Sequence, residues 1–276
     1  MKRIYTFVLL MFVSASVFAQ SLSGYKICID PGHGGTDPAN DRWIPEAGFW
    51  ESEGNYGKGV HLKQILEELG AEVFITRNGN SNSDDLPLSQ RAGIANANNV
   101  DLFHSIHSNA TGTANRANFP LMLFRGYDTA PVFPESKTYG QIVIRKILDA
   151  RSGTWSSTNI NVRGDWSFYS WWDNPTAGLG VLRPLNMPGL LSEGSFHDYI
   201  PEAKRLRNDL YLKHEAWAIA RALLEFYNAG NLTKGIVAGI IRDNVETVPS
   251  SYQAVTTADS KKPLNAIRAK LLPNNL

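Results

Sequence analysis

The chain has 276 residues, enough for one domain with a substantial core and an additional segment. A hydrophobic content of 43% with 19% charged residues excludes a disordered chain. Its 27 basic and 26 acidic residues leave a net charge of +1, which removes the electrostatic case for a nucleic-acid partner.

The first residues have the order of a secretory leader. Lys2 and Arg3 precede an apolar stretch from Ile4 to Phe18, closed by small residues around Val17-Phe18-Ala19, with cleavage expected after Ala19. A membrane-spanning helix needs about 20 apolar residues, so no transmembrane anchor is expected once residues 1–19 are removed. Removing the leader takes away two basic groups and no acidic one, turning the net charge slightly negative. Cys28 is the only cysteine, so an exported protein of this sequence has no internal disulfide and depends on its core. A zinc site built from several thiolates is excluded, and any metal must be held by His and carboxylate.

Tyr25 to Asp30 predicts a strand stopped by Pro31-Gly32, with the Cys28 thiol buried inside it. A Gly-, Pro- and Asp-rich loop follows to about Phe49. Val60, Leu62, Ile65, Leu66 and Leu69 then fit a helix over 55–69 that ends at Gly70. Ala71 to Thr76 reads as a second strand, Leu88 to Ala97 as a helix, Asp101 to Ile106 as a third strand and Phe119 to Phe124 as a fourth. Ile142 to Ala150 lies in another helix. Residues 151–178 read as irregular and aromatic, either walling a groove or packing as a cluster. Short strands are expected at Gly180–Leu182 and Leu190–Glu193, and a long helix from about Leu210 to Tyr227 closes the domain at 24–229. Strands alternating with helices imply an α/β fold: one domain with a central, mostly parallel sheet flanked by helices on both faces. Ligands of such sheets gather beyond the carboxyl ends of the strands. Residues 232–276 read as a short C-terminal β-rich segment with strands at 235–241 and 264–271, similar to the opening of a carboxypeptidase-regulatory-like sandwich.

Four segments carry residues suited to chemistry. His33 stands in Asp30-Pro31-Gly32-His33-Gly34-Gly35, where glycines let the backbone turn tightly at a strand end. Glu51 and Glu53 precede the first helix, where acidic groups favour the helix dipole, and local reasoning leaves the choice between them open. His104 and His107 lie three apart on one strand and face opposite sides, with His107 at the carboxyl end and His104 expected under a helix or bonded to backbone. His61 and His214, inside expected helices, have the ordinary reading of surface or interface residues. Glu193 follows Leu190-Leu191-Ser192, where a buried carboxylate needs either an ion-pair partner, such as Arg183, or a function. Two His and one Glu are a common catalytic zinc set that leaves the fourth position to water, with a further Glu as general base.

In this order and spacing the four segments resemble the zinc-dependent N-acetylmuramoyl-L-alanine amidases, over about residues 25–228. The resemblance implies one Zn2+ ion held by His33, Glu51 and His107, with Glu193 as catalytic acid/base. Glu51 is selected over Glu53 by counting eleven residues back from Leu62. Thr76-Arg77, Arg91, Ala95 and Asn96, and Ser105 to Asn109 match further family positions, whereas His104 and His197-Asp198 depart from the usual pattern. The implied reaction is hydrolysis of the amide between N-acetylmuramic acid and L-alanine. Asn109, Arg183 and His197 are candidates for substrate or oxyanion contact. The expected partner is peptidoglycan or muropeptide, and the expected location is the periplasm or the extracellular envelope. A zinc exopeptidase of related architecture and a non-catalytic wall-binding module are the rival readings.

Overall fold

A computed structural model describes residues 21–37, 39, 43–112, 116–150, 154–232, 239–248 and 260–264. The leader expected at 1–19 lies outside them. The apolar first strand, β1 (Lys26–Pro31), is buried from Ile27 onward. β2 (Trp43–Ile44) and β3 (Phe49–Trp50) form a small antiparallel ribbon that delivers the chain into α1 (Glu51–Glu68). The helix therefore starts four residues earlier than its apolar spacing indicates, and Glu51 and Glu53 belong to its first turn. It stops at Gly70, whose φ of +89° suits a residue without Cβ, and Ala71 N–H donates back to Leu66 O at 3.0 Å.

β4 (Glu72–Ile75), α2 (Leu88–Ala97) and β5 (Leu102–Asn109) follow, then β6 (Leu121–Phe124) and a ribbon of β7 (Gly126–Tyr127) with β8 (Ala130–Pro131). After α3 (Pro134–Ala150) come β9 (Val162–Gly164), α4 (Asp165–Phe168), β10 (Gly189–Phe196), α5 (Ile200–Leu206) and α6 (Asp209–Phe226). The six-stranded sheet has the order β4-β1-β5-β10-β6-β9. β4, β1, β5 and β10 are parallel, β6 runs against β10, and β9 lies parallel to β6 at the edge.

Two expectations are corrected. Gly180–Leu182 is a turn, because Leu182 and Arg183 N–H both donate to Leu179 O, at 3.0 and 2.9 Å, and so use locally the groups a strand would present. The stretch 151–178 is not wholly irregular: it contributes β9 and α4, elements too short for any periodicity to show. In the C-terminal segment, β11 (Arg242–Thr247) pairs antiparallel with β12 (Lys261–Pro263). These two strands fall between the apolar runs expected as strands, and most of 235–241 and 264–271 lies outside the described residues.

The sheet is buried on both faces. Ile27, Ile29, Leu102, Ile106 and Leu190 face α1, α3 and α6, while Cys28, Phe103, Leu123 and Leu191 face α2 and the turn around Leu182. Alternate residues of each strand thus feed opposite cores, which is why the strands read as continuous apolar runs. Lys58 of α1 and Glu215 of α6, both buried, pair at 3.0 Å beneath β10. A Cβ on Gly194 would collide with the Glu215 carboxylate, so the strand passes this pair without a side chain. Among the described residues, no helix is long and apolar enough to cross a membrane.

Candidate metal centre

The carboxyl end of β1 is held by a buried polar hub. Asp30 accepts hydrogen bonds from Thr76 Oγ1 and Ser105 Oγ at 2.6 Å and from Arg91 Nη1 at 2.9 Å. Burial alone would push its carboxyl up, but the Arg91 charge and the two hydroxyls hold it below its usual range. The same two arginines that match the family pattern clamp the next three carbonyls. Arg77 donates to Pro31 and Gly32, and Arg91 donates to Pro31 and His33, at 2.9 to 3.2 Å. With its backbone fixed this way, His33 sits at φ +57°, a left-handed conformation costing a non-glycine residue on the order of 1–2 kcal/mol.

Three elements bring their side chains to one point: the loop after β1, the first residue of α1 and the end of β5. His33 Nε2 lies 3.2 Å from Glu51 Oε2, and His107 Nδ1 lies 3.1 Å from Glu51 Oε1. One potential ligand atom from each of the three residues falls within 4.8 Å of the others. Tetrahedral coordination with metal–ligand bonds of about 2.1 Å separates ligand atoms by roughly 3.4 Å, so the observed spacing suits a shared cation. Glu51 is the buried member. Burial would raise its carboxyl, but the His33 and His197 imidazoles and the hydrogen bond with His107 hold it well below the usual range. Its Oε1 also accepts from Asn55 Nδ2 and Ser108 N–H, each at 3.1 Å, which fixes the carboxylate plane. Glu53, the local rival, instead turns back to accept the Trp50 N–H at 3.4 Å as part of the helix cap.

Glu193 stands directly opposite His107 in the parallel pairing of β10 with β5. Both project from the sheet face that carries Phe103 and Leu191, as strand alternation requires. Among the described residues no arginine pairs with it, and its Oε2 is shielded from solvent without a hydrogen-bond partner. Burial first, then the negative charge of Glu51, push this carboxyl up to about 8, against the opposing pull of His33 and Lys58. An acid poised near neutrality is suited to taking and returning a proton.

The remaining candidates fall outside this cluster. His104 points to the other face, wedged between Tyr139 OH at 2.8 Å and Ser192 Oγ at 2.9 Å, and burial drives its imidazole down to about 3. It is a neutral core residue under α3. His61 joins α1 to α6 through Asp209 at 2.7 Å, and His214 is buried on α6. His197 is buried behind Glu51, with Nδ1 donating to Ser108 O at 2.7 Å and standing 3.8 Å from Glu51 Oε2. Asn109 ends β5, and its side-chain oxygen accepts the next backbone N–H, of Ala110, at 2.8 Å. Arg183 is exposed on the turn before β10.

Sequence reasoning singled out Arg77 and Arg91 only as matching positions and passed over Asp30 and Asn55 as functional residues. The spacing of Glu51 and Asn55, four apart on one helix, was the available signal for the Asn55 contact.

The sequence profile of the N-acetylmuramoyl-L-alanine amidase family matches residues 27–225. The chain is 29% identical over 205 residues to the N-acetylmuramoyl-L-alanine amidase CwlM of Bacillus licheniformis, covering 74% of this chain and 69% of that one. It is 26% identical over 237 residues to the sporulation-specific N-acetylmuramoyl-L-alanine amidase of Bacillus subtilis, covering 83% and 81%. The crystal structure of an N-acetylmuramoyl-L-alanine amidase from Clostridium difficile 630 superposes with a TM-score of 0.60 at 25% identity, over 76% of this chain and 98% of that chain.

Proposed function

The chain belongs to the N-acetylmuramoyl-L-alanine amidase family, and from that membership we propose that it is a zinc-dependent enzyme hydrolysing the amide between N-acetylmuramic acid and L-alanine in peptidoglycan. The observation that carries the zinc and acid/base parts of this reading is the register of β10 on β5. It sets the half-buried Glu193, whose shielded Oε2 has no hydrogen-bond partner, opposite His107 in the two-imidazole, one-carboxylate cluster.

The donor set of His33, Glu51 and His107 suits zinc in chemistry and spacing, and a Zn2+ ion there supplies Lewis acidity to the scissile carbonyl and to an attacking water. Glu193 takes the proton that the water releases as its oxygen adds to the carbonyl carbon. It then delivers that proton to the alanine nitrogen as the carbon–nitrogen bond breaks, so the products are a lactyl carboxylate and a free amine. Asn55 and the Ser108 N–H occupy Glu51 Oε1, which leaves Oε2 as the oxygen facing His33. His197 acts by holding the Ser108 carbonyl behind Glu51, a positioning role in place of the substrate contact expected for it. Asn109, half-buried at the end of β5 two residues past His107, keeps the role of substrate contact. Such a substrate lies outside the cytoplasmic membrane, and the leader expected at 1–19 would carry the chain there.

Gly32 provides a test of the site's construction. A Cβ at this position would fall inside the van der Waals radius of the His107 imidazole. Gly32→Ala is therefore expected to displace that ring, weaken zinc binding at least tenfold and cost about 1–3 kcal/mol of stability. A zinc titration and a thermal melt measure the two effects, and unchanged zinc affinity would remove Gly32 from the site.

The direct experiment incubates the purified protein with defined muropeptides, with and without a chelator, and reads the products by mass spectrometry. Release of an intact stem peptide beginning at L-alanine is expected, abolished by the chelator and restored by zinc. Bound zinc with no such release would overturn the reading.

A further inference from the structure

The aromatic stretch 151–178 divides into parts with different surroundings. Trp155 packs against the core under α3 and α6, and Trp166 meets Tyr127 edge to face at 5.2 Å. These two are packing residues. Phe168, Tyr169, Trp171 and Trp172 instead form one continuous ring surface. Tyr169 and Trp172 stack with centroids 4.1 Å apart and planes 19° from parallel, and Trp171 closes against Tyr169 and Phe168 at 5.3 and 5.9 Å. Trp171 is 68% exposed and Trp172 37%, so two adjacent indoles face solvent where simple packing would bury them.

This surface is anchored to the fold and adjoins the candidate catalytic centre. The buried Asp165 carboxylate accepts the N–H groups of Gly126 and Leu179, at 2.9 and 2.8 Å, and ties the two ends of the segment to each other and to β7. Phe168 and Tyr169 pack on the cluster containing Leu121 and Leu191. Leu121 is the β6 partner of Glu193, and Leu191 is its neighbour on the same face of β10. Burial and then the Glu193 charge raise the Tyr169 phenol to about 12, as their closeness requires.

We propose that Tyr169, Trp171 and Trp172 form a sugar-stacking platform that holds the glycan strand of peptidoglycan beside the bond to be cut. The inference rests on the amidase reading, in which the scissile amide hangs from a sugar. A pyranose offers a flat face of C–H bonds with hydroxyls around its rim, which matches an indole or phenol face edged by N–H and O–H. Charge separates the sugar from the stem peptide as occupant. Within residues 165–182 the exposed charge is Asp173, Asp165 being buried, and no Lys, Arg or His occurs before Arg183, a poor match for a peptide with free carboxylates and no obstacle to a neutral N-acetylated sugar.

The test titrates the zinc-loaded full chain with a tetrasaccharide of N-acetylglucosamine, followed by tryptophan fluorescence and calorimetry. Trp171→Ala/Trp172→Ala is expected to bind it about tenfold more weakly, with Trp171→Phe/Trp172→Phe recovering much of the affinity. In parallel, the ratio of kcat/KM for a glycan-extended muropeptide over a single-sugar one is expected to fall about tenfold in the alanine pair, through KM. Equal tetrasaccharide affinity in wild type and the alanine pair would overturn the platform. So would quenching of these tryptophans by free stem peptide and not by the tetrasaccharide. Trp-dependent sugar binding without any amide cleavage would sink the amidase reading and leave the platform standing. Amide cleavage with Trp-independent sugar binding would do the reverse.

Discussion

Glu193→Gln is expected to lower kcat by roughly a thousandfold while leaving zinc stoichiometry and the fold intact. Glutamine keeps the shape and the neutral charge of a protonated carboxyl but cannot accept the water's proton or return it to nitrogen. The loss should fall on kcat more than on KM, because the lost interaction operates in the transition state. A second signature belongs to the metal-free protein. There the Glu193 carboxyl is raised from its ordinary 4.5 to about 8, so between those values the unfolded chain releases a proton that the folded chain retains. Folding stability of the chelated wild type therefore falls as pH rises through this window, and the glutamine variant lacks that contribution. Chelated Glu193→Gln should melt above chelated wild type at pH 7. Near-normal turnover in the variant would sink the assignment, whatever the melting curves show. A bound dication stabilises the carboxylate and draws its pKa down from the metal-free value toward neutrality.

His107→Ala is expected to abolish stoichiometric zinc binding and with it measurable amidase activity. Two protein ligands remain, and neither is free to compensate: His33 is fixed by the carbonyl clamps of Arg77 and Arg91, and Glu51 by Asn55 and Ser108. A ligand that binds only the folded state raises its apparent stability, so zinc should raise the melting temperature of wild type and fail to raise that of the variant. Metal analysis of the purified variant gives the complementary reading. Glu53→Gln provides the contrast, since Glu53 serves the helix cap. It should retain zinc and lose only the modest stability of a cap, on the order of 1 kcal/mol. Full zinc occupancy in His107→Ala would exclude His107 as a ligand.

Most of the scaffold could be read from residue order alone. Five strand cores and four helices follow from period and from punctuation by Pro31, Gly32 and Gly70, because a strand buried on both faces must be apolar along its length and a helix must stop where its backbone turns left-handed. The opposite orientations of His104 and His107 also follow from the two-residue repeat of a strand. Short elements were beyond reach. β9 and α4 have three and four residues, and the turn at Leu179–Arg183 is apolar enough to read as a strand because it packs on the core.

The residue types that carry chemistry were evident in the sequence, whereas their neighbourhood was not. Choosing between Glu51 and Glu53 depends on which carboxylate faces the ends of β1 and β5, a matter of how α1 packs against strands that lie far away in sequence. The raised Glu193 carboxyl arises from desolvation and from the charge of Glu51, which the fold brings near across more than a hundred residues. The division of the aromatic stretch into core-packed Trp155 and exposed Trp171 likewise depends on which layer each indole meets. Local pattern specifies backbone period, capping and the chemistry available. Burial, charge–charge distance and the sharing of one carboxylate by two imidazoles are properties of long-range contacts, and they exist only once the chain has closed on itself.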